Sequence, residues 1–205
     1  MFKLLIERIR NFISFNKPVP FTSDYYSARE IYRPDYNIVA NCILSRIQFN
    51  TVMDIGCANG FLLESFKKAN KNIKGIELSP EVVAHLPDGI RSNIDIGDFS
   101  EASGKYDLVS CIEVAEHIEP SESVRLVKKI TSIALNTVYF TAAPPGQPGH
   151  GHINCRPHSD WIDMFQLEGW SLNEKLTMQI REDISTIKSA VWLIENTLIF
   201  NRSNI

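Results

Sequence analysis

The chain of 205 residues is 44% apolar and 22% charged, an ordinary globular composition able to bury one core. A net charge of −3 and a pI near 6.0 advertise no basic face, so tight electrostatic binding to duplex nucleic acid is not expected. The four cysteines, Cys42, Cys57, Cys111 and Cys155, form no Cys-x-x-Cys pair; with no apolar run of the ~18 residues a membrane span needs, this points to a reducing, cytoplasmic setting.

Residues 1–15 read as an amphipathic helix, with Phe2, Leu5, Ile6, Ile9, Phe12 and Ile13 on one face. Lys3, Glu7, Arg8 and Arg10 break any signal-peptide core. Such a helix would dock on its own domain or a partner, or lie weakly on a membrane surface. Residues 16–27 read as a loop, and 33–47 as a helix with Ile38, Val39, Cys42, Ile43 and Ile47 as its apolar stripe. A regular alternation follows: strand 50–55, helix 60–69, strand 72–77, helix 80–86, strand 90–95, strand 107–112, helix 121–134 and strand 137–142. A helix over 159–167 and strands over 173–182 and 197–202 complete the chain. Alternating strands and helices predict an α/β unit, a parallel sheet with helices on both faces. Residues 1–47 would form an N-terminal helical cap on the domain 48–205.

The most informative stretch is 52–60, Val-Met-Asp-Ile-Gly-Cys-Ala-Asn-Gly. A buried strand, a glycine turn and a helix start make a site for the polar end of a nucleotide-like cofactor. The dinucleotide fingerprint Gly-x-Gly-x-x-Gly would need glycine where Phe61 stands, which disfavours NAD, and no P-loop Gly-Lys-Ser/Thr is present. The pattern that remains is Asp-x-Gly-x-x-x-Gly, from Asp54 through Gly56, Cys57 and Ala58 to Gly60. It suits a cofactor with an ammonium group and a carboxylate, such as the methionine end of S-adenosylmethionine.

These residues resemble the class I S-adenosylmethionine-dependent methyltransferases, and the resemblance extends over roughly residues 48–203. It implies a Rossmann-like seven-stranded, mostly parallel sheet ending in an antiparallel hairpin. Lys74-Gly75-Ile76-Glu77-Leu78 looks like the family's second strand, with Glu77 as the ribose acid; it lies 17 residues after Gly60, near the ~20 expected. Asp98 would accept from the adenine amine, with Leu78 and Phe99 covering the ring. Tyr106–Glu113 looks like the fourth strand. Ala58 stands where a glycine is usual, and a methyl group there should be tolerated.

Beyond cofactor binding, Glu113-Val114-Ala115-Glu116-His117 leaves the fourth strand beside the place where the methyl group should sit, and His150 and His152 follow the fifth. Glu-x-x-Glu-His with a later His resembles the metal pattern of small-RNA 3′-terminal 2′-O-methyltransferases. Glu-Val-x-Glu-His also occurs in quinone-biosynthesis O-methyltransferases. Three readings stay open. Glu113, Glu116, His117 and His152 could hold Mg²⁺ or Mn²⁺. His117 alone could act as a metal-free base, Glu116 and His152 being the other candidate catalytic residues. Glu113 could instead contact the cofactor or cap a helix, with His150 and His152 in a mobile lid. The absence of Asn-Pro-Pro-Tyr and Pro-Cys argues against base methylation. Tyr25, Tyr26, Tyr32 and Trp161 are candidate walls of an acceptor pocket. The expected function is O-methylation of a small acceptor: a sugar, a phenol or a lipid-linked molecule. The alternatives are 2′-O-methylation of an RNA end and a non-catalytic cofactor-binding module.

Overall fold

The structure, a computed structural model, describes residues 21–203. The proposed helix over 1–15 lies outside them.

Seven strands form one sheet in the order β3-β2-β1-β4-β5-β7-β6. They are β1 (Thr51–Ile55), β2 (Asn72–Glu77), β3 (Ile94–Ile96), β4 (Tyr106–Ile112), β5 (Ala134–Thr141), β6 (Trp170–Leu172) and β7 (Leu198–Arg202). The first five are parallel, while β7 runs antiparallel to both β5 and β6. The helices are α1 (Ser23–Ala28), α2 (Arg33–Arg46), α3 (Phe61–Lys68), α4 (Ser123–Ile133), α5 (His158–Leu167), α6 (Glu174–Asp183) and α7 (Trp192–Asn196). One core, with Val39, Ile43, Leu63 and Phe66, packs α2, α3 and α6 on one face of the sheet. The other, with Leu126, Ile130, Trp161 and Phe165, packs α4 and α5 on the opposite face. Each such fully buried aliphatic side chain contributes roughly 1.5–3 kcal/mol. Strand order reverses between β1 and β4, and in open α/β sheets that switch point opens a crevice at the carboxyl ends of the strands.

The structure corrects several expectations. The penultimate strand, expected over 173–182, is the three-residue β6 just before it, and Glu174–Asp183 is the helix α6. Asn173 caps that helix, its Oδ1 accepting from the Leu176 N–H at 3.0 Å, and Thr177, Ile180 and Ile184 face the core at helical spacing. The stretch expected as helix 80–86 is a 3₁₀ turn, Pro80–His85, and the third strand is shortened to Ile94–Ile96. Of the loop expected over 16–27, residues 16–20 lie outside the described residues, and the rest runs into α1, Ser23–Ala28, capped by Thr22. Trp161, offered as a pocket wall, is fully buried against Phe140 instead.

Buried Asp35 on α2 accepts the backbone N–H groups of Lys188, Ser189 and Ala190. Burial works against its charge, but the three N–H groups keep its pKa below the ordinary carboxylate value. The contact ties down the turn that leads into α7, and α7 delivers Asn196 to the crevice.

Candidate active site

The turn after β1 forms one wall of the first cleft. Gly56 and Gly60 hold φ of +69° and +68°, and a side chain at Gly56 would run into Val114. Ala58 also lies in the left-handed region, at +43°, so its methyl group fits but its backbone is strained. Cys57 and Gly60 shape the turn without lining the cleft; Cys57 packs into the core. Asp54 is buried beneath the turn and accepts from Ser110 Oγ at 2.6 Å. Burial pushes its pKa up to about 7; the Ser110 bond opposes that rise and nearby Glu77 adds to it.

Glu77, at the end of β2, lines the same cleft with Gly56, Ala58, Leu78, Asp98, Phe99 and Glu113. Its carboxylate accepts from the Ala58 N–H at 2.9 Å, the Ser79 N–H at 3.2 Å and the Tyr26 hydroxyl at 3.1 Å. Asp98 caps the 3₁₀ turn Phe99–Glu101 through the Ser100 N–H at 2.9 Å. The cofactor residues expected from sequence therefore surround one cleft, with Asp54, Cys57 and Gly60 supporting it from behind.

A second cleft adjoins the first. It is lined by the aromatic and basic residues Tyr25, Arg29, Tyr32, Tyr36 and Trp192 together with Glu113, Glu116, His117, Gln147 and His152. Glu116, His117 and His152 bring one ligand atom each within 4.8 Å of the others. Glu116 is fully buried, and neither carboxylate oxygen has a hydrogen-bond partner. A buried polar group without a partner is costly, so it marks a place where something binds or a proton stays. Burial, with Glu113 beside it, raises the Glu116 pKa well above the carboxylate range.

The imidazoles are oriented by the loop after β5. His117 Nδ1 lies 3.3 Å from the Gly151 carbonyl, and His152 Nδ1 lies 3.1 Å from the Gln147 carbonyl. A carbonyl only accepts, so each Nδ1 carries the hydrogen and each Nε2 of the neutral ring has a free lone pair. His152 Nε2 is 4.0 Å from Glu116 Oε1. Burial, then His152, lowers the His117 pKa to about 4; burial also lowers that of His152. His150 packs against Tyr25 and Phe21 instead of joining this group. Glu113 lies outside the three-residue set, its carboxylate accepting from Asn196 and Gln147.

Several residues at the site carry no local motif. Asn154, buried, donates to the Ala115 carbonyl and to Ser123 Oγ, while its N–H and that of Ile153 bond the Glu116 carbonyl. These bonds staple the loop after β5 to the turn after β4. Arg29 is held by the hydroxyls of Tyr25 and Tyr36 at 3.1 Å each, and no carboxylate pairs with it among the described residues. Its unpartnered Nε is buried, and the residue borders both clefts. An N-terminal arginine among tyrosines signals nothing without the fold that places it there.

A family model described as a methyltransferase domain matches residues 26–147, more than half of the chain. The chain belongs to the methyltransferase-domain family. It is an S-adenosylmethionine-dependent methyltransferase, and the first cleft, with its acid at the end of β2 and its open glycine turn, fits that cofactor. Among curated relatives, the ubiquinone biosynthesis O-methyltransferase of Xanthomonas oryzae pv. oryzae (strain PXO99A) is 27% identical over 165 residues, covering 69% of this chain and 67% of the relative. The ubiquinone biosynthesis O-methyltransferase of Ralstonia nicotianae is 33% identical over 107 residues, 44% of each chain. Among solved structures, magnesium protoporphyrin IX methyltransferase from Synechocystis PCC 6803 with bound S-adenosylhomocysteine shares the fold of this methyltransferase. Its TM-score is 0.65 at 16% identity, covering 96% of this chain and 95% of that one.

Proposed function

We propose that this methyltransferase transfers its methyl group to a hydroxyl of a small molecule seated in the second cleft, with a divalent cation on Glu116, His117 and His152. The observation that carries the reading is the buried Glu116 carboxylate, without a hydrogen-bond partner and facing two imidazoles whose Nε2 lone pairs are free. Mixed carboxylate and imidazole ligands suit Mg²⁺, Mn²⁺ and similar ions, and the loop carbonyls on each Nδ1 are the outer contacts that orient ligating histidines. The O-methyltransferase names of the relatives support an oxygen acceptor.

The cofactor supplies an electrophilic methyl carbon on a sulfonium. A bound cation lowers the pKa of a hydroxyl it holds, as it lowers that of water from ~16 to ~7. The chain's own residues bind and orient. Glu77 takes the ribose hydroxyls, exchanging the Tyr26 contact for them. Asp98, Leu78 and Phe99 hold the adenine end, and Gly56 to Gly60 together with Asp54 hold the amino-acid end. Arg29 takes the cofactor carboxylate, a role fitted to a buried guanidinium without a carboxylate partner. His117, neutral near pH 7, is free to ligate. Tyr25, Tyr32 and Trp192 bound the acceptor on its apolar side.

The test is transfer of tritium from methyl-labelled S-adenosylmethionine into fractionated cell extract, with and without EDTA. Label in the small-molecule or lipid fraction, lost with EDTA, is the expected result. Full transfer in EDTA would remove the cation, and label confined to RNA would redirect the acceptor to a nucleic-acid end.

A further inference from the structure

Tyr25, Arg29, Glu113 and His117 line both clefts, so they form the wall that the methyl group must cross. Glu113 is the carboxylate among them. Its placement is unusually constrained. The backbone sits at φ +53°, and the N–H donates to Thr141 Oγ1 at 2.9 Å. Such a conformation in a non-glycine residue is held by its surroundings. Asn196 Nδ2 donates to Glu113 Oε1 at 3.0 Å and also to Gln147 Oε1 at 3.0 Å, while Gln147 Nε2 donates to Glu113 Oε2 at 3.3 Å. Asn196 is 1% exposed, so this amide is a fixed part of the interior. Two amides thus hold both oxygens of Glu113, whereas neither oxygen of Glu116 is held.

Charge at this wall matters because the cofactor is a sulfonium cation and its product a neutral thioether. Arg29 stands on the same wall, but its charge meets the carboxylate that both ligands carry, so it does not tell sulfonium from thioether. A carboxylate fixed at this wall does, by attraction to the sulfonium alone. We propose that Asn196 and Gln147 are positioning residues that pin Glu113 at the shared wall, where its carboxylate favours the cationic sulfonium over the neutral thioether product. The clamp thereby biases the site toward loading cofactor and releasing product. The inference rests on the cofactor and needs no cation, although Glu113 stands beside Glu116.

The experiment is calorimetric titration of the full chain with S-adenosylmethionine, S-adenosylhomocysteine and the amine-bearing analogue sinefungin, in EDTA so that the cation site stays silent. Glu113→Gln is expected to reduce the preference for S-adenosylmethionine over S-adenosylhomocysteine about tenfold, the scale of one close charge interaction in a partly solvated site. Sinefungin should weaken with the cationic ligand. Asn196→Ala and Gln147→Ala should shift the same ratio about threefold, and Asn196→Ala should add nothing to the ratio in the Glu113→Gln background. Equal weakening of both ligands would mean a structural role and overturn the proposal, as would an unchanged ratio in Glu113→Gln. Gln147 lies on a part-exposed loop, so its variant keeps the test decisive if Asn196→Ala fails to fold.

Discussion

The two clefts of this methyltransferase share a wall but differ in how complete they are. In the first, the acids already have partners: Glu77 accepts two backbone N–H groups and a hydroxyl, Asp98 caps its own turn, and Asp54 holds Ser110. In the second, the most buried acid, Glu116, has none. The first cleft is therefore a preorganised receptor whose groups exchange protein partners for ligand partners. The second carries an electrostatic debt that a cation or a proton must cancel.

The strongest way to break this contrast is Glu77→Ala. Removing a carboxylate that would accept both ribose hydroxyls should cost cofactor affinity about a hundredfold, since charge-assisted hydrogen bonds are worth about 1.5–3 kcal/mol each. Calorimetry on a variant with unchanged circular dichroism checks it, and normal affinity would mean that the cofactor lies elsewhere.

Glu116→Gln tests the other half. Because its folded pKa is raised from 4.5, the native metal-free chain keeps a proton that the unfolded chain sheds. Stability from this group is thus present below pH 4.5 and lost as pH rises toward the raised value. Glu116→Gln should flatten that loss, melt higher than wild type at pH 8 without metal, and show no melting-temperature rise with Mn²⁺. His117 contributes the opposite slope: with its pKa lowered from 6.5 to about 4, its share is present above pH 6.5 and lost as pH falls toward 4. His117→Gln should remove that acid-side loss in thermal melts across pH 4 to 6.5.

A smaller effect sharpens the picture of the first cleft. Asp54, raised from 3.8 to about 7, costs stability as pH rises through that window. Binding a ligand with an ammonium group should ionise it. Titrations near pH 6.5 in buffers of different ionisation enthalpy should therefore show release of a fraction of a proton, absent in Asp54→Asn. The smallest change is Ala58→Gly. Relief of a left-handed alanine, worth roughly 1–2 kcal/mol and partly offset by glycine's entropy, should raise the melting temperature by a few degrees and leave cofactor affinity unchanged.

The sequence by itself determined the α/β alternation, the glycine turn after β1 and the acids at the ends of β2 and β3. These signals are local, because strand period, turn chemistry and short spacings are written within a few residues of one another. It also marked Glu116, His117 and His152, though not that Glu116 would be buried without a hydrogen-bond partner. Tertiary structure decided the rest. It made 174–183 a helix, since a short segment with three scattered apolar residues fits either period until Asn173 caps it and Ile180 meets the core. It placed Trp161 in the interior, where Phe140 receives it. It brought Arg29, Gln147 and Asn196 to the crevice from three distant segments, through the Asp35 anchor and the Asn154 staple. Gln147 and Asn196 have no motif, because their roles depend on Glu113, 34 and 83 positions away in the chain, and only packing brings such pairs within hydrogen-bond reach.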